Sequence, residues 1–353
     1  MRIRKGYTAA YLLILVLGLS SCMEGLPEVE DPAPRYFIPT LAASLQQSTF
    51  PQPESNLLSE EGVLLGKTLF YDPLISANGQ VSCGTCHSLE LAFGDGISLS
   101  AEGVSGKPLH RHAPVLFNLA WNEGLFWDGG SRNLESLIFG PLTHPDEMGA
   151  NLNETIAYLN SSGNYPEMFY RAFGTDSITS AAIGRSLAQF VRSILSQNSK
   201  YDQWKSGENA LNSLELQGYQ LYQEHCKSCH TEGLFTDLGY HNNGLDASFP
   251  DPMELEGLYL GRFRISFADS DLGAFKTPSL RNIAFSAPYM HDGRFETLDE
   301  VLDHYRSGIQ HSHSLSPALR AGITITDAEK EALKAFLHSL SDYTFITNQA
   351  YLP

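Results

Sequence analysis

Four of the five cysteines in this chain fall in two copies of one pattern, Cys83-Gly-Thr-Cys86-His87 and Cys226-Lys-Ser-Cys229-His230. Two thiols separated by two residues and followed at once by an imidazole form the c-type haem attachment motif. The sulfurs bond the two vinyl groups of the porphyrin edge, and the adjacent His gives its ring to the iron. The pattern predicts two covalently bound haem c groups, with His87 and His230 as iron ligands. A zinc knuckle and a thioredoxin-like redox pair also use Cys-x-x-Cys. A knuckle needs further Cys or His at ligand spacing, and outside the two boxes only Cys22 remains among the cysteines.

Each box needs a rigid element to carry it. Glu60–Phe70 (EEGVLLGKTLF) precedes the first and Leu214–Tyr222 (LELQGYQLY) the second. Both read as helices with apolar residues at i, i+3 and i+4, and both contain Gly-x-x-Leu-aromatic, a weak repeat around boxes 143 residues apart. The first copy inserts a longer loop, YDPLISANGQVS, before its Cys. Thr326–Leu337 reads as a capped amphipathic helix able to close the second unit, and Thr155–Leu159 and Ile178–Leu195 also read as helices. Strand signals are few. The expected fold class is mainly α, with two cytochrome c-like haem domains and long irregular connections. The N-terminal domain is expected over 45–196 and the C-terminal over 197–353, with the boundary in the polar, turn-prone stretch Ser196–Asn212.

At 353 residues, with 42% hydrophobic and 18% charged side chains, the chain is globular and long enough for about two cores without disulfides. Its net charge of −17 argues against nucleic acid and for cationic partners. Residues 1–21 combine Arg2, Arg4 and Lys5 with an apolar run that ends in Leu19-Ser20-Ser21-Cys22, an export signal with a lipoprotein box. Cys22 is then a lipid anchor, residues 22–44 are a tether, and the protein belongs to the periplasm or cell envelope. The apolar run is far short of the ~20 residues of a membrane span. Removing the signal takes away three positive charges and no acid, which deepens the net charge to −20.

Between and after the boxes run Arg111-His-Ala-Pro114, Asn118, Phe126-Trp127-Asp128-Gly129, Leu134-Glu135, Gly140-Pro141 and Pro145-Asp146-Glu147-Met148-Gly149. Lys276-Thr-Pro-Ser-Leu-Arg-Asn282 and Pro288-Tyr-Met-His-Asp-Gly293 follow. In this order they resemble the bacterial di-haem cytochrome c peroxidase and MauG family over about residues 45–345. The resemblance implies a peroxide site at the N-terminal haem and electron entry at the C-terminal one. It makes Glu147 the catalytic acid/base, a role suited to a carboxyl over an open haem. It makes Trp127 an electron relay between the haems and Pro141 a residue that limits access to the iron. Read alone, these three are a loop carboxylate or cap, a packed indole and a turn.

Several positions depart from the family pattern. Where typical members carry a Met ligand to the second haem, this chain has Tyr305, the MauG-like choice; a phenolate favours ferric iron, whereas Met raises the potential. A tyrosine packed on a helix is the alternative, and Met290, His304, His311 and His313 are other candidate ligands. The loop Leu99–Lys107 lacks the His that blocks the peroxide haem in relatives; the nearest are His110 and His112. The first haem is then five-coordinate at rest. Leu137 and Gly130 replace a family Gln and Arg. The resemblance also brings calcium, through the backbone oxygens of Ser286 and Pro288, but His112 stands where relatives have an Asn ligand, and imidazole suits calcium poorly.

The leading functional expectation is reduction of hydrogen peroxide to water with electrons from a small cytochrome c or cupredoxin, a basic protein steered by the acidic surface. The alternatives are a MauG-like enzyme that oxidises a partner protein through a two-haem ferryl state, and a non-enzymatic di-haem electron carrier. Relatives are often dimers, which brings a homodimer.

Overall fold

The computed structural model describes residues 33–45, 49–249 and 259–353. The export signal, Cys22 and the first part of the tether lie outside the described residues. Among those described, no helix is long and apolar enough to cross a membrane.

Polar side chains at fixed offsets start the long helices. Ser59 accepts from the Gly62 N–H at the head of Glu60–Tyr71. Reciprocal capping boxes, Asn212 with Glu215 and Thr326 with Glu329, open Ser213–His225 and Asp327–Ser339. The periodic stretch at 178–195 folds as Ser180–Ser193, and the short one at 155–159 extends to Leu152–Ser161. The protein is mainly α: among the described residues the only strands are Tyr240–His241 and Phe275–Lys276, paired antiparallel with Tyr240 opposite Lys276.

The helix ahead of each box crosses a second helix at a glycine. A β-carbon on Gly66 would lie 2.0 Å from the Ser186 carbonyl oxygen, and one on Gly218 1.9 Å from that of Ala332. Glycine lets the two backbones touch, and buried side chains close around each crossing. One cluster includes Leu65, Leu69, Phe70, Phe190 and Phe345, the other Tyr222, Phe235, Leu333 and Phe336. Because the obstructing atoms are backbone and cannot swing aside, Gly218→Ala is expected to cost about 1–3 kcal/mol. Urea denaturation should show a lower midpoint. Gly163→Ala, with nothing within 4 Å of the new carbon, should leave it unchanged.

Two stretches are more structured than their composition suggested. Within Ser196–Asn212, residues Lys200–Ser206 form a helix opened by a Ser199–Asp202 capping box. Its first turn is buried because Arg281, 0% exposed in its side chain, bonds both Asp202 oxygens at 2.8 Å. The described end of the tether is laid along the body. Arg35 pairs with Glu60 at 2.8 Å and Glu61 at 2.7 Å, the Phe37 N–H donates to the Leu58 oxygen at 3.0 Å, and the Ser44 hydroxyl donates to Asp202.

Candidate active site

Both boxes share one local geometry. Cys83–Cys86 make a helical turn with Ser82 and Thr85 as a capping box, and the His87 N–H donates to the Cys83 oxygen at 3.0 Å. The second box follows directly on Ser213–His225, with the His230 N–H donating to the Cys226 oxygen at 2.9 Å. A carbonyl then orients each ring. His87 Nδ1 donates to the Phe93 oxygen at 2.7 Å and His230 Nδ1 to the Phe235 oxygen at 3.2 Å. Both phenylalanines hold the left-handed backbone region, at φ 61° and 55°, a conformation that β-carbons resist. With Nδ1–H committed, the Nε2 lone pair of each ring is left for a metal. Burial favours the neutral, ligating form, lowering His87 to about 4 and lowering His230 as well.

The four thiols are available for thioether bonds. None of them is in a disulfide, and burial pushes Cys83 and Cys226 up to about 12 and Cys86 to about 11. Cys229, Asp237 and His241 do gather, with ligand atoms within 4.8 Å of one another, but His241 Nε2 is already paired with Asp237 at 2.7 Å. Paired thiols beside a buried imidazole with a free Nε2 fit haem c at both boxes.

The first box opens on a cavity of about 560 Å³ that Trp127, Pro141 and Glu147 also border. Glu147 follows the short helix Phe139–Thr143, and its backbone is pinned twice: its N–H donates to the His144 oxygen at 3.0 Å, and its oxygen accepts from the Val104 N–H at 2.7 Å. Its carboxylate charge is felt at both Cys83 and Cys86. Burial raises the carboxyl above its ordinary 4.5, His144 draws it down and Asp146 adds to the rise. The group therefore stands beside the attachment thiols and holds a proton at higher pH than an exposed carboxylate does.

Trp127 Nε1 donates to the His112 oxygen at 2.8 Å, and its own carbonyl accepts from the Lys276 N–H at 2.7 Å. That second bond ties the Trp127 loop to Phe275–Lys276. Thr236, Lys276 and Pro278 also line the cavity, and the Pro278 carbonyl lies within hydrogen-bonding reach of the His230 ring. The indole thus borders a space whose one side carries His87 and whose other side backs onto His230.

Tyr305 lies in one turn of π-helix, His304–Gly308. Burial pushes its phenol up to about 12, a hydrogen bond from Asn243 draws it down, and the Cys226 and Cys229 sulfurs are near enough to oppose ionisation. Tyr305 is thus placed at the second box. Of the other candidate ligands, Met290 Sδ accepts from Asn243 Nδ2 at 3.4 Å and His304 Nε2 donates to the Asn243 oxygen at 3.0 Å, whereas His311 and His313 are exposed.

The family model described as di-haem cytochrome c peroxidase matches residues 60–210. The methylamine utilization protein MauG of Methylorubrum extorquens is 36% identical over 294 residues, covering 82% of this chain and 81% of that protein. The chain belongs to the di-haem cytochrome c peroxidase and MauG family. Cytochrome c551 peroxidase of Nitrosomonas europaea is 34% identical over 68% of this chain and 71% of its own length. A solved MauG-like protein associated with microbial copper homeostasis superposes with a TM-score of 0.79 at 33% identity, over 85% of this chain and 95% of that one.

Several residues of this family member carry no signal in composition or spacing. Asp128, 2% exposed, receives Arg111 at 2.7 Å and Arg264 at 3.1 Å beside Trp127. Lys276 is buried in the cavity wall, donating to the Leu238 oxygen at 2.8 Å, and burial lowers it to about 8. Only their places within the Phe-Trp-Asp-Gly and Lys-Thr-Pro motifs could have drawn attention to them. His112, the departure at the calcium position, turns its Nδ1 to the Ile97 oxygen at 2.7 Å with Asp95 at 3.4 Å, so that nitrogen is committed within the protein.

Proposed function

We propose that this member of the family reduces hydrogen peroxide to water at the first box, consuming two electrons and two protons per peroxide. The observation that carries the reading is Glu147, a carboxyl of raised proton affinity in the cavity that also holds Cys83, Cys86 and His87. When bound there, haem c supplies the redox metal at which the O–O bond is broken. Glu147 takes the proton from one peroxide oxygen and returns it to the other, so that the departing group leaves as water. Pro141 narrows the approach, and Trp127, held by its Nε1–H, relays electrons arriving from the His230 side. The haems are attached as thioethers at Cys83, Cys86, Cys226 and Cys229, in domains that meet near residues 196–197. Leu99–Lys107 holds no His, and His112 Nδ1 is engaged by the Ile97 oxygen, so a haem held by His87 would need no blocking ligand from that loop displaced before peroxide enters.

The rest of the reading comes from sequence and family. A small basic cytochrome c or cupredoxin delivers electrons to the acidic surface, and Cys22 anchors the protein in the cell envelope, where it acts as a homodimer. Calcium would rest on the carbonyls of Ser286 and Pro288, since His112 Nδ1 is engaged elsewhere.

One observation favours a second reading within the family, oxidation of a partner protein: Tyr305, not Met, stands at the second box and is a hard donor for ferric iron. Mixing the holoprotein with peroxide and reduced cytochrome c separates the two. Peroxide reduction oxidises two donors per peroxide. The second reading instead gives little donor oxidation, a persistent oxidised spectrum and modified aromatic side chains on an added protein. Failure to consume peroxide with any reduced donor overturns the first.

A further inference from the structure

Glu147 must regain a proton between turnovers, and His144 is the first of the charged neighbours that act on its carboxyl. His144 Nδ1 lies 3.9 Å from Glu147 Oε1, both residues border the cavity of the first box, and the two side chains are 37% and 34% exposed. The His144 backbone already holds this loop, since its carbonyl accepts the N–H groups of Glu147 at 3.0 Å and Gly149 at 2.9 Å. The side chain adds one bond to the turn, as acceptor for the Asp146 N–H at 3.2 Å.

The ring is set up with a direction. The Asp146 N–H donates to His144 Nδ1 at 3.2 Å, so in the neutral imidazole Nδ1 is the acceptor and the proton sits on Nε2. A second proton can then reside only on Nδ1, the nitrogen that faces Glu147. Once it passes to the carboxylate, the Asp146 N–H recovers its acceptor and the ring returns to its starting tautomer. The Asp146 carboxylate is turned to the Ser105 hydroxyl and to Lys107 at 3.7 Å, and its charge also acts on His144 and His110. Cys83 and Cys86, once they are thioethers, carry no proton to exchange with Glu147.

We propose that His144 is the proton-delivering partner of Glu147, collecting protons from solvent and passing them from Nδ1 to Oε1 during peroxide reduction once rotation of these partly exposed side chains closes the 3.9 Å gap to hydrogen-bond length. The proposal rests on Glu147 being the acid/base of the site. Each turnover takes two protons from solvent, and one peroxide with two donor electrons gives two waters.

The test compares wild type, His144→Gln, His144→Ala and Glu147→Gln holoproteins, each first checked for an unchanged haem spectrum. His144→Gln is expected to slow peroxide turnover roughly tenfold, less than the 10²–10⁴-fold of a full acid–base contribution, and to change the pH profile of turnover. Added imidazole should recover part of the rate of His144→Ala. The infrared carboxyl band that Glu147→Gln removes should titrate at higher pH in His144→Gln, because the positive charge that drew Glu147 down is gone. A slow His144→Gln with an unaltered pH profile, and no imidazole recovery in His144→Ala, would mark a structural residue and overturn the relay. So would a His144→Gln as fast as wild type while Glu147→Gln is inactive. If Glu147→Gln itself keeps full activity, the acid/base reading fails and the relay with it.

Discussion

Glu147→Gln is expected to lower peroxide turnover by roughly 10²–10⁴-fold while leaving both haems attached. The amide keeps the volume of the carboxyl, and the backbone bonds that place residue 147, from the Val104 N–H and to the His144 oxygen, do not involve the side chain. What is lost is the capacity to take a proton from one peroxide oxygen and return it to the other. The wild-type rate should fall on acidification through a value above the ordinary 4.5, because the half-buried carboxyl must be ionised to act first as a base. The variant should lack that limb. Stopped-flow oxidation of a reduced donor across pH reads both effects, and a variant with wild-type rate and profile would remove Glu147 from the chemistry.

Asp202→Asn is expected to destabilise the protein by about 3–5 kcal/mol, the usual consequence of leaving one member of a buried ion pair alone. Arg281 is fully buried and bonds both Asp202 oxygens, and the Ser199 N–H and hydroxyl reach the same carboxylate at 2.8 and 2.7 Å. Burial by itself would raise the Asp202 carboxyl, yet the Arg281 charge and the hydrogen bonds from Arg281, Ser199 and Ser44 hold it below its ordinary value. A carboxyl lowered in the folded state contributes stability that is complete above its unfolded value, about 3.9, and is lost as pH falls through the lower folded value. Acid denaturation of the wild type should therefore contain a component missing from the variant. Equal melting curves for the two proteins would show that Arg281 finds another partner.

The parts of the site legible in the sequence are those whose chemistry is confined to neighbouring residues. Cys83, Cys86 and His87 lie within five consecutive positions, as do Cys226, Cys229 and His230, so one turn of chain assembles each attachment box. The helix start at Thr326 was legible for the same reason, since cap and partner are three residues apart. The stretch 196–212 misled because its polar composition describes a linker, whereas its helix is held by Arg281, 79 residues from Asp202. Glu147 could be singled out only through the order of motifs around it.

The sequence by itself determined two haem c attachment sites, a mainly helical fold and membership of a peroxidase family, because thiol spacing, apolar periodicity and motif order are local or linear properties of a chain. The tertiary structure alone decided that Glu147 shares a cavity with the first box, that His144 lies 3.9 Å from it, that Trp127 is tied to the segment backing onto His230, and that Tyr305 lies beside Cys226 and Cys229. Those placements depend on which distant backbones can approach and which charges are taken out of water together. The glycine crossings at Gly66 and Gly218 and the burial of Arg281 with Asp202 are three such conditions.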